Sequence, residues 1–90
     1  MPKIKTLLMP DYSTEYPIYL ENVKGFKINY RSNFSMRFSY VLGGTSLMYY
    51  VHNYLKPHIV RNLDHSGRGV NLTIYFYSAN PNQVVEIEYW

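Results

Sequence analysis

Residues 26 to 40, Phe26-Lys27-Ile28-Asn29-Tyr30-Arg31-Ser32-Asn33-Phe34-Ser35-Met36-Arg37-Phe38-Ser39-Tyr40, carry the plainest structural signal in the chain. Phe26, Ile28 and Tyr30 alternate with Lys27, Asn29 and Arg31, and Phe34, Met36, Phe38 and Tyr40 alternate with Ser35, Arg37 and Ser39. Successive side chains of a strand point to opposite faces, so this period of two describes two half-buried strands. Arg31-Ser32-Asn33 reads as a three-residue hairpin turn with Asn33 in the left-handed position. That turn sets Tyr30 opposite Phe34, Ile28 opposite Met36 and Phe26 opposite Phe38. A two-residue turn would oppose Arg31 to Phe34 and mix the faces.

The same alternation returns near the C-terminus, where Val70, Leu72, Ile74 and Phe76 alternate with Asn71, Thr73, Tyr75 and Tyr77. Beyond a turn at Ser78 to Gln83, Val85, Ile87 and Tyr89 would face the core, and Glu86, Glu88 and Trp90 would face away. Pairing these two strands by face puts Tyr75 opposite Glu86 and Thr73 opposite Glu88. Upstream, Lys3 to Met9 forms a first strand ended by Pro10, and Pro17 to Leu20 a short edge strand.

Between the two hairpins, Gly43-Gly44 leads to Thr45 or Ser46 as a helix cap. Leu47, Met48, Val51, Leu55 and Ile59 then recur at the spacing of one buried helical stripe, running to about Leu63. Pro57 removes one hydrogen bond and crowds the preceding turn, so the helix either kinks near Asn53 or breaks in two. The expected fold is a single α+β domain over residues 1–90. It has a four- to five-stranded, mostly antiparallel sheet with one helix, open to a kink at Pro57, packed on one face, in the order β-(β)-β-β-α-β-β.

Composition supports a packed domain. The chain has 90 residues, 47% of them hydrophobic and 17% charged, against roughly 25% charged in an average globular chain. A domain of this size buries only about 60–65% of the surface its unfolded form exposes, which leaves a thin stability margin. Without cysteine there is no disulfide, thiolate metal ligand or cysteine nucleophile, which fits a reducing, cytoplasmic setting. No stretch approaches the ~18 apolar residues of a membrane span, and Met1 to Pro10 lacks a signal-peptide core, so no membrane role is expected. The two glycosylation-type triplets, at Asn33 and Asn71, read as chance matches.

Charge and tyrosine content point to contact surfaces. The net charge is +3, yet no acid lies between Glu21 and Asp64, while Lys24, Lys27, Arg31, Arg37, Lys56 and Arg61 all do. Eleven tyrosines stand beside four Phe and one Trp. An apolar ring with a polar tip suits half-buried surfaces and interfaces.

The hairpin register sets Lys27 across from Arg37 on the outer sheet face, and like charges so placed are destabilising. Either an anion or the neighbouring Glu86 and Glu88 must relieve them. Tyr75 and Tyr77 share that face and could stack bases, so Lys27, Arg31, Arg37, Tyr75 and Tyr77 form a candidate nucleic-acid or anion contact. The aromatic-glycine signature of an RNA-recognition motif is absent, and the element order differs from that fold. The outward helix face offers a second surface: Tyr49, Tyr50, His52, Asn53, Lys56 and Arg61, with Tyr54. Tyr and Arg are enriched at protein interfaces and their hot spots, so this is the candidate protein interface.

Catalytic patterns are weak. Val41-Leu42-Gly43-Gly44-Thr45-Ser46 could offer amides to a phosphate, but it lacks P-loop or Rossmann spacing and reads as a capped turn. His52 and His58 would point about 240° apart on a straight helix, too far to share a metal unless Pro57 bends the helix sharply. Asp64, His65 and Ser66 are adjacent, whereas a catalytic triad is defined by spatial roles that neighbours rarely fill. Glu86 and Glu88 lie about 7 Å apart on an open face with no desolvating pocket. No catalytic, cofactor or metal site is expected.

The functional expectation is therefore a small non-enzymatic binding module that contacts a protein or ribonucleoprotein. An inhibitor of a host defence enzyme, carried by a phage or mobile element, is one such module, although the basic middle argues against mimicry of DNA. Direct nucleic-acid binding is the alternative, as is a structural or assembly subunit, homodimer included, that self-associates through strand edges.

Overall fold

The computed structural model describes residues 3–11, 14–30, 36–47, 50–52, 58–78 and 80–90. Among them lie the strands β1 (Lys3–Met9), β2 (Glu15–Val23), β3 (Phe26–Tyr30) and β4 (Met36–Ser39), then the helix α1 (Gly44–Leu47). The strands β5 (Tyr50–His52), β6 (His58–Val60), β7 (Val70–Tyr77) and β8 (Gln83–Tyr89) follow. They form two four-stranded antiparallel sheets, ordered β1-β8-β3-β6 and β2-β7-β4-β5. Among the described residues the fold is mostly antiparallel sheet with one short helix.

Period-two alternation explains the core. The first sheet contributes Met9, Phe26, Ile28, Tyr30, Val85 and Ile87, and the second Ile18, Leu20, Val23, Met36, Phe38, Ile74 and Phe76, all buried in one cluster. Two sheets packed face to face bury one face each, which turns the alternate residues outward. Each large apolar side chain so buried contributes about 1.5–3 kcal/mol. These faces outweigh local turn preferences.

Neither expected hairpin forms, and the expected single sheet is two. β3 lies between β8 and β6, so Phe26 faces Tyr89 and Val60, Ile28 faces Ile87 and His58, and Tyr30 faces Val85. β4 lies between β7 and β5, with Phe38 opposite Phe76 and Tyr50. The chain crosses between sheets from residue 30 to residue 36; the turn itself and Phe34 fall outside the described residues. It crosses again from β7 to β8, so Tyr75 faces Pro17 and Ser39 rather than Glu86, and Thr73 faces Tyr19 rather than Glu88. Alternation states which face of a strand is apolar and is silent on its neighbour. An arch between sheets buries the same side chains as a hairpin within one.

The long helix is also replaced. Among the described residues of that segment Gly44–Leu47 alone is helical; Tyr50–His52 pairs with β4 and His58–Val60 with β3, so each becomes an edge strand. Ile59, expected in the buried stripe, is 44% exposed. Met48 and Leu55, also of that stripe, lie outside the described residues. Tyr50, Val51, Ile59 and Val60 are aromatic or β-branched, which costs side-chain freedom in a helix and suits a pleated surface. Pro57 would also interrupt the helical ladder.

β2 is longer than the Pro17 to Leu20 segment expected. It tolerates Pro17 because an edge strand leaves some amides unpaired. Its register shifts between Leu20 and Val23, where Asn22 takes a left-handed φ of 52° and its amide donates to Asn71 Oδ1 at 3.2 Å.

Candidate functional site

Buried Ile74, Phe76 and Phe38 turn their strand neighbours outward, so Tyr75, Tyr77 and Arg37 stand on the outer face of the second sheet. Arg37 is opposite Tyr77, and Tyr77 is opposite Glu15 on the other side. The Arg37 guanidinium carbon lies 5.5 Å from the centre of the Tyr77 ring, within cation–π range. Tyr19, 46% exposed, extends the face along β2. Of the five residues expected to contact nucleic acid, three come together here. Arg31 lies outside the described residues, and Lys27 belongs to the other sheet.

Lys27 sits between Glu88 of β8 and Ile59 of β6 on the outer face of the first sheet. Asn29 Nδ2 donates to Glu88 Oε1 at 3.3 Å beside it. The expected Lys27–Arg37 pair therefore does not exist, and an opposite charge flanks Lys27 instead. Glu86 lies between Thr6 and Asn29, remote from Arg37. Neither carboxylate faces the second sheet.

Sequence reasoning missed a feature of this same face. Ile4, Leu8 and Val84 are 61%, 56% and 49% exposed, and Leu8 lies directly opposite Val84. Lys3 and Lys5 occupy the inner side of β1, where Lys5 Nζ reaches across to the Tyr19 carbonyl at 2.7 Å and Lys3 Nζ lies 5.9 Å from the Tyr89 ring centre. The signal was present in Lys3-Ile4-Lys5. Lysines alternate there with apolar residues, and pairing to β8 turns the apolar set outward.

The expected helix interface is dispersed. Tyr50 and His52 lie in β5, opposite Phe38 and Met36, while exposed Arg61 follows β6 on the other sheet. Tyr49, Asn53 and Lys56 fall outside the described residues. Tyr50 stacks on Phe38 with ring centres 5.4 Å apart, and His58 approaches the same Phe38 ring at 4.8 Å. The Tyr40 hydroxyl lies 3.4 Å from His58 Nε2. These rings close one side of the sandwich and make no helix surface.

Burial lowers the His58 pKa, and burial followed by the nearby Tyr50 hydroxyl pushes Tyr40 up to about 12. A base held neutral by burial binds its proton less readily folded than unfolded. Its stabilising contribution is thus present above its ordinary 6.5 and is lost as pH falls through the lower folded value. Denaturant titrations at about pH 7 and pH 5 should show this decline, and His58→Phe should flatten it.

The glycine turn holds an anion, and the anion is the chain's own. The amide of Gly43, whose φ is 77°, donates to Glu15 Oε1 at 2.8 Å. The Thr45 amide donates to Oε2 at 3.4 Å, and the Thr45 hydroxyl donates to the same oxygen. Partial burial raises the Glu15 pKa, but these hydrogen bonds outweigh it and the net shift is downward. The resulting stabilisation is complete above the ordinary 4.5 and disappears as pH falls through the folded value. Glu15→Gln should cost about 1 kcal/mol near neutrality after solvent screening, measured by urea unfolding, with the difference shrinking in acid.

Asp64 accepts from the Ser66 amide at 3.1 Å and the Ser66 hydroxyl at 2.7 Å, which lowers its pKa. The arrangement is a local turn that bypasses His65. Among the described residues no three His, Cys, Asp or Glu side chains gather around a metal-sized site, and no helix is long and apolar enough to cross a membrane. Comparison with family models, curated proteins and solved structures yields no match. The functional reading rests on these surfaces alone.

Proposed function

We propose that this chain is a small non-enzymatic binding module that contacts a protein or ribonucleoprotein through the outer face of its second sheet. The observation supporting this is Arg37 lying over Tyr77, with Tyr75 and Tyr19 on the same face. Tyrosine and arginine are enriched at interface hot spots: the tyrosine ring brings large contact area with little conformational entropy to lose, and the arginine guanidinium brings a planar fork of hydrogen-bond donors. A polyanion fits this face less well. Among its described residues Arg37 is the one cation, Glu15 shares its row, and each phosphate neutralised adds to the salt dependence of binding. Inhibition of a host defence enzyme is a role such a module suits, on grounds of size and surface character.

The test is affinity capture from native host lysate, with and without nuclease, using wild type, Arg37→Ala/Tyr77→Ala and the control Lys27→Ala. The reading expects a nuclease-resistant protein partner that the double variant loses by roughly 30-fold or more, the scale of one hot spot. Lys27→Ala should retain it. Equal capture by all three rejects the face, and capture that nuclease abolishes and that protein-free nucleic acid alone reproduces replaces the reading with direct nucleic-acid binding.

A further inference from the structure

Among the described residues β1 is an edge strand of the first sheet, paired on one side by β8 and open on the other. The other edges among the described residues are poorer templates: β5 and β6 are three residues each, and β2 carries Pro17 and the irregularity at Asn22. β1 runs seven residues with neither a proline nor a register shift. An unbroken open edge invites pairing unless charges or bulges blunt it.

We propose that β1 pairs with β1 of a second copy of this chain, antiparallel, with Thr6 on the two-fold axis. The side chains select both occupant and register. With Thr6 on the axis, Ile4 lies opposite Leu8 of the other copy, Lys5 opposite Leu7 and Lys3 opposite Met9, so all seven residues pair and no like charges meet. Moving the axis to Lys5 sets that lysine against its own copy, and moving it to Ile4 sets Lys3 against Lys5. Like charges directly opposite are destabilising, so both registers are disfavoured. Moving it to Leu7 pairs only residues 5–9 within the strands and brings Pro10 against Ile4. The inward lysines thus choose a register and do not forbid pairing.

The outer face gains as well. Leu8 already lies opposite Val84 within one copy, and Ile4 opposite Glu88. Across the Thr6 axis, Ile4 of the second copy extends the Val84–Leu8 row, giving two rows of three apolar side chains related by the axis. The three residues exposed by 49% to 61% at this edge become neighbours. Isologous contacts of this kind are the commonest oligomer geometry. The pairing uses the sheet opposite the proposed partner face, so either can fail while the other stands.

Because the chain has no cysteine, a single introduced thiol reads the register directly. Directly opposite Cα atoms in an antiparallel pair are about 4.5–5.5 Å apart, inside the range a disulfide spans. Thr6→Cys should therefore form a covalent dimer in a mild redox buffer. Ile4→Cys should not, since the two Ile4 positions would be offset by four residues along the strand, about 13 Å. Light scattering on wild type from micromolar to millimolar should show a dimer, and Thr6→Lys should weaken it by about tenfold or more with its circular dichroism unchanged. A wild type that stays monomeric throughout, or Ile4→Cys crosslinking as readily as Thr6→Cys, overturns the proposal.

Discussion

Phe38→Ala is expected to lower the unfolding free energy by about 3–5 kcal/mol, the cost of removing a large aromatic side chain from a closed core. Phe38 is fully buried, and its ring meets Tyr40 at 6.2 Å, Tyr50 at 5.4 Å and Phe76 at 6.3 Å in or beside its own sheet. It also meets His58 at 4.8 Å from the opposite sheet. One side chain therefore joins an edge strand, a central strand and the facing sheet. A domain of this size has about 5–15 kcal/mol in total, so the variant should be largely unfolded at modest urea concentrations. Tyr75→Ala, one residue from buried Phe76 but half-exposed on the outer face, should cost well under half as much. Equal losses from the two would mean that the inner and outer faces of the second sheet are assigned wrongly.

The strands themselves were readable because burial imposes a period on the residues. Phe26, Ile28, Tyr30, Met36, Phe38, Ile74, Phe76, Val85 and Ile87 are all core residues by alternation, and all are buried. What alternation lacks is a record of neighbours. Phe26 fits equally well across from Phe38 in a hairpin or stacked toward it across a sandwich, since both remove the same ring from water. Residues 45 to 63 failed for a different reason. Apolar spacing there satisfies a helical stripe on paper, but Tyr50, Val51, Ile59 and Val60 carry side chains that favour a pleat, and two open sheet edges needed cover.

The site inherited these errors unevenly. Tyr75, Tyr77 and Arg37 were assigned to outer faces strand by strand, and they meet because β7 and β4 are neighbours. Lys27 was joined to them only through the hairpin, so it moved away with β3. Glu15 at the glycine turn was invisible to any local reading, since its partners lie 28 and 30 residues along the chain. The exposed Ile4 and Leu8 were visible in principle. Lysine at alternate positions in a first strand signals an edge, and an edge signals a possible partner.

Gly25→Ala should cost about 3 kcal/mol, although glycine here serves space rather than backbone conformation. A Cβ at this position would lie 2.7 Å from the carbonyl oxygens of Val60 and Arg61 and 2.8 Å from Cζ2 of Trp90. Three segments converge there: the Lys24–Gly25 link between β2 and β3, the end of β6 and the end of β8. Hydrogen bonds lock them together, from Gly25 N to Trp90 O at 3.2 Å, from Trp90 N to Gly25 O at 3.1 Å and from Leu63 N to Lys24 O at 2.9 Å. A side-chain clash can be relieved by rotation, but two of the three obstructing atoms are backbone and cannot rotate away. Relief must come from separating strands, at a cost of about 1 kcal/mol per hydrogen bond weakened. Chemical denaturation of Gly25→Ala, Trp90→Ala and the double variant separates the causes. If the indole were the sole obstacle, removing it would restore the alanine variant to the stability of Trp90→Ala alone. The two carbonyls predict that most of the loss persists in the double variant.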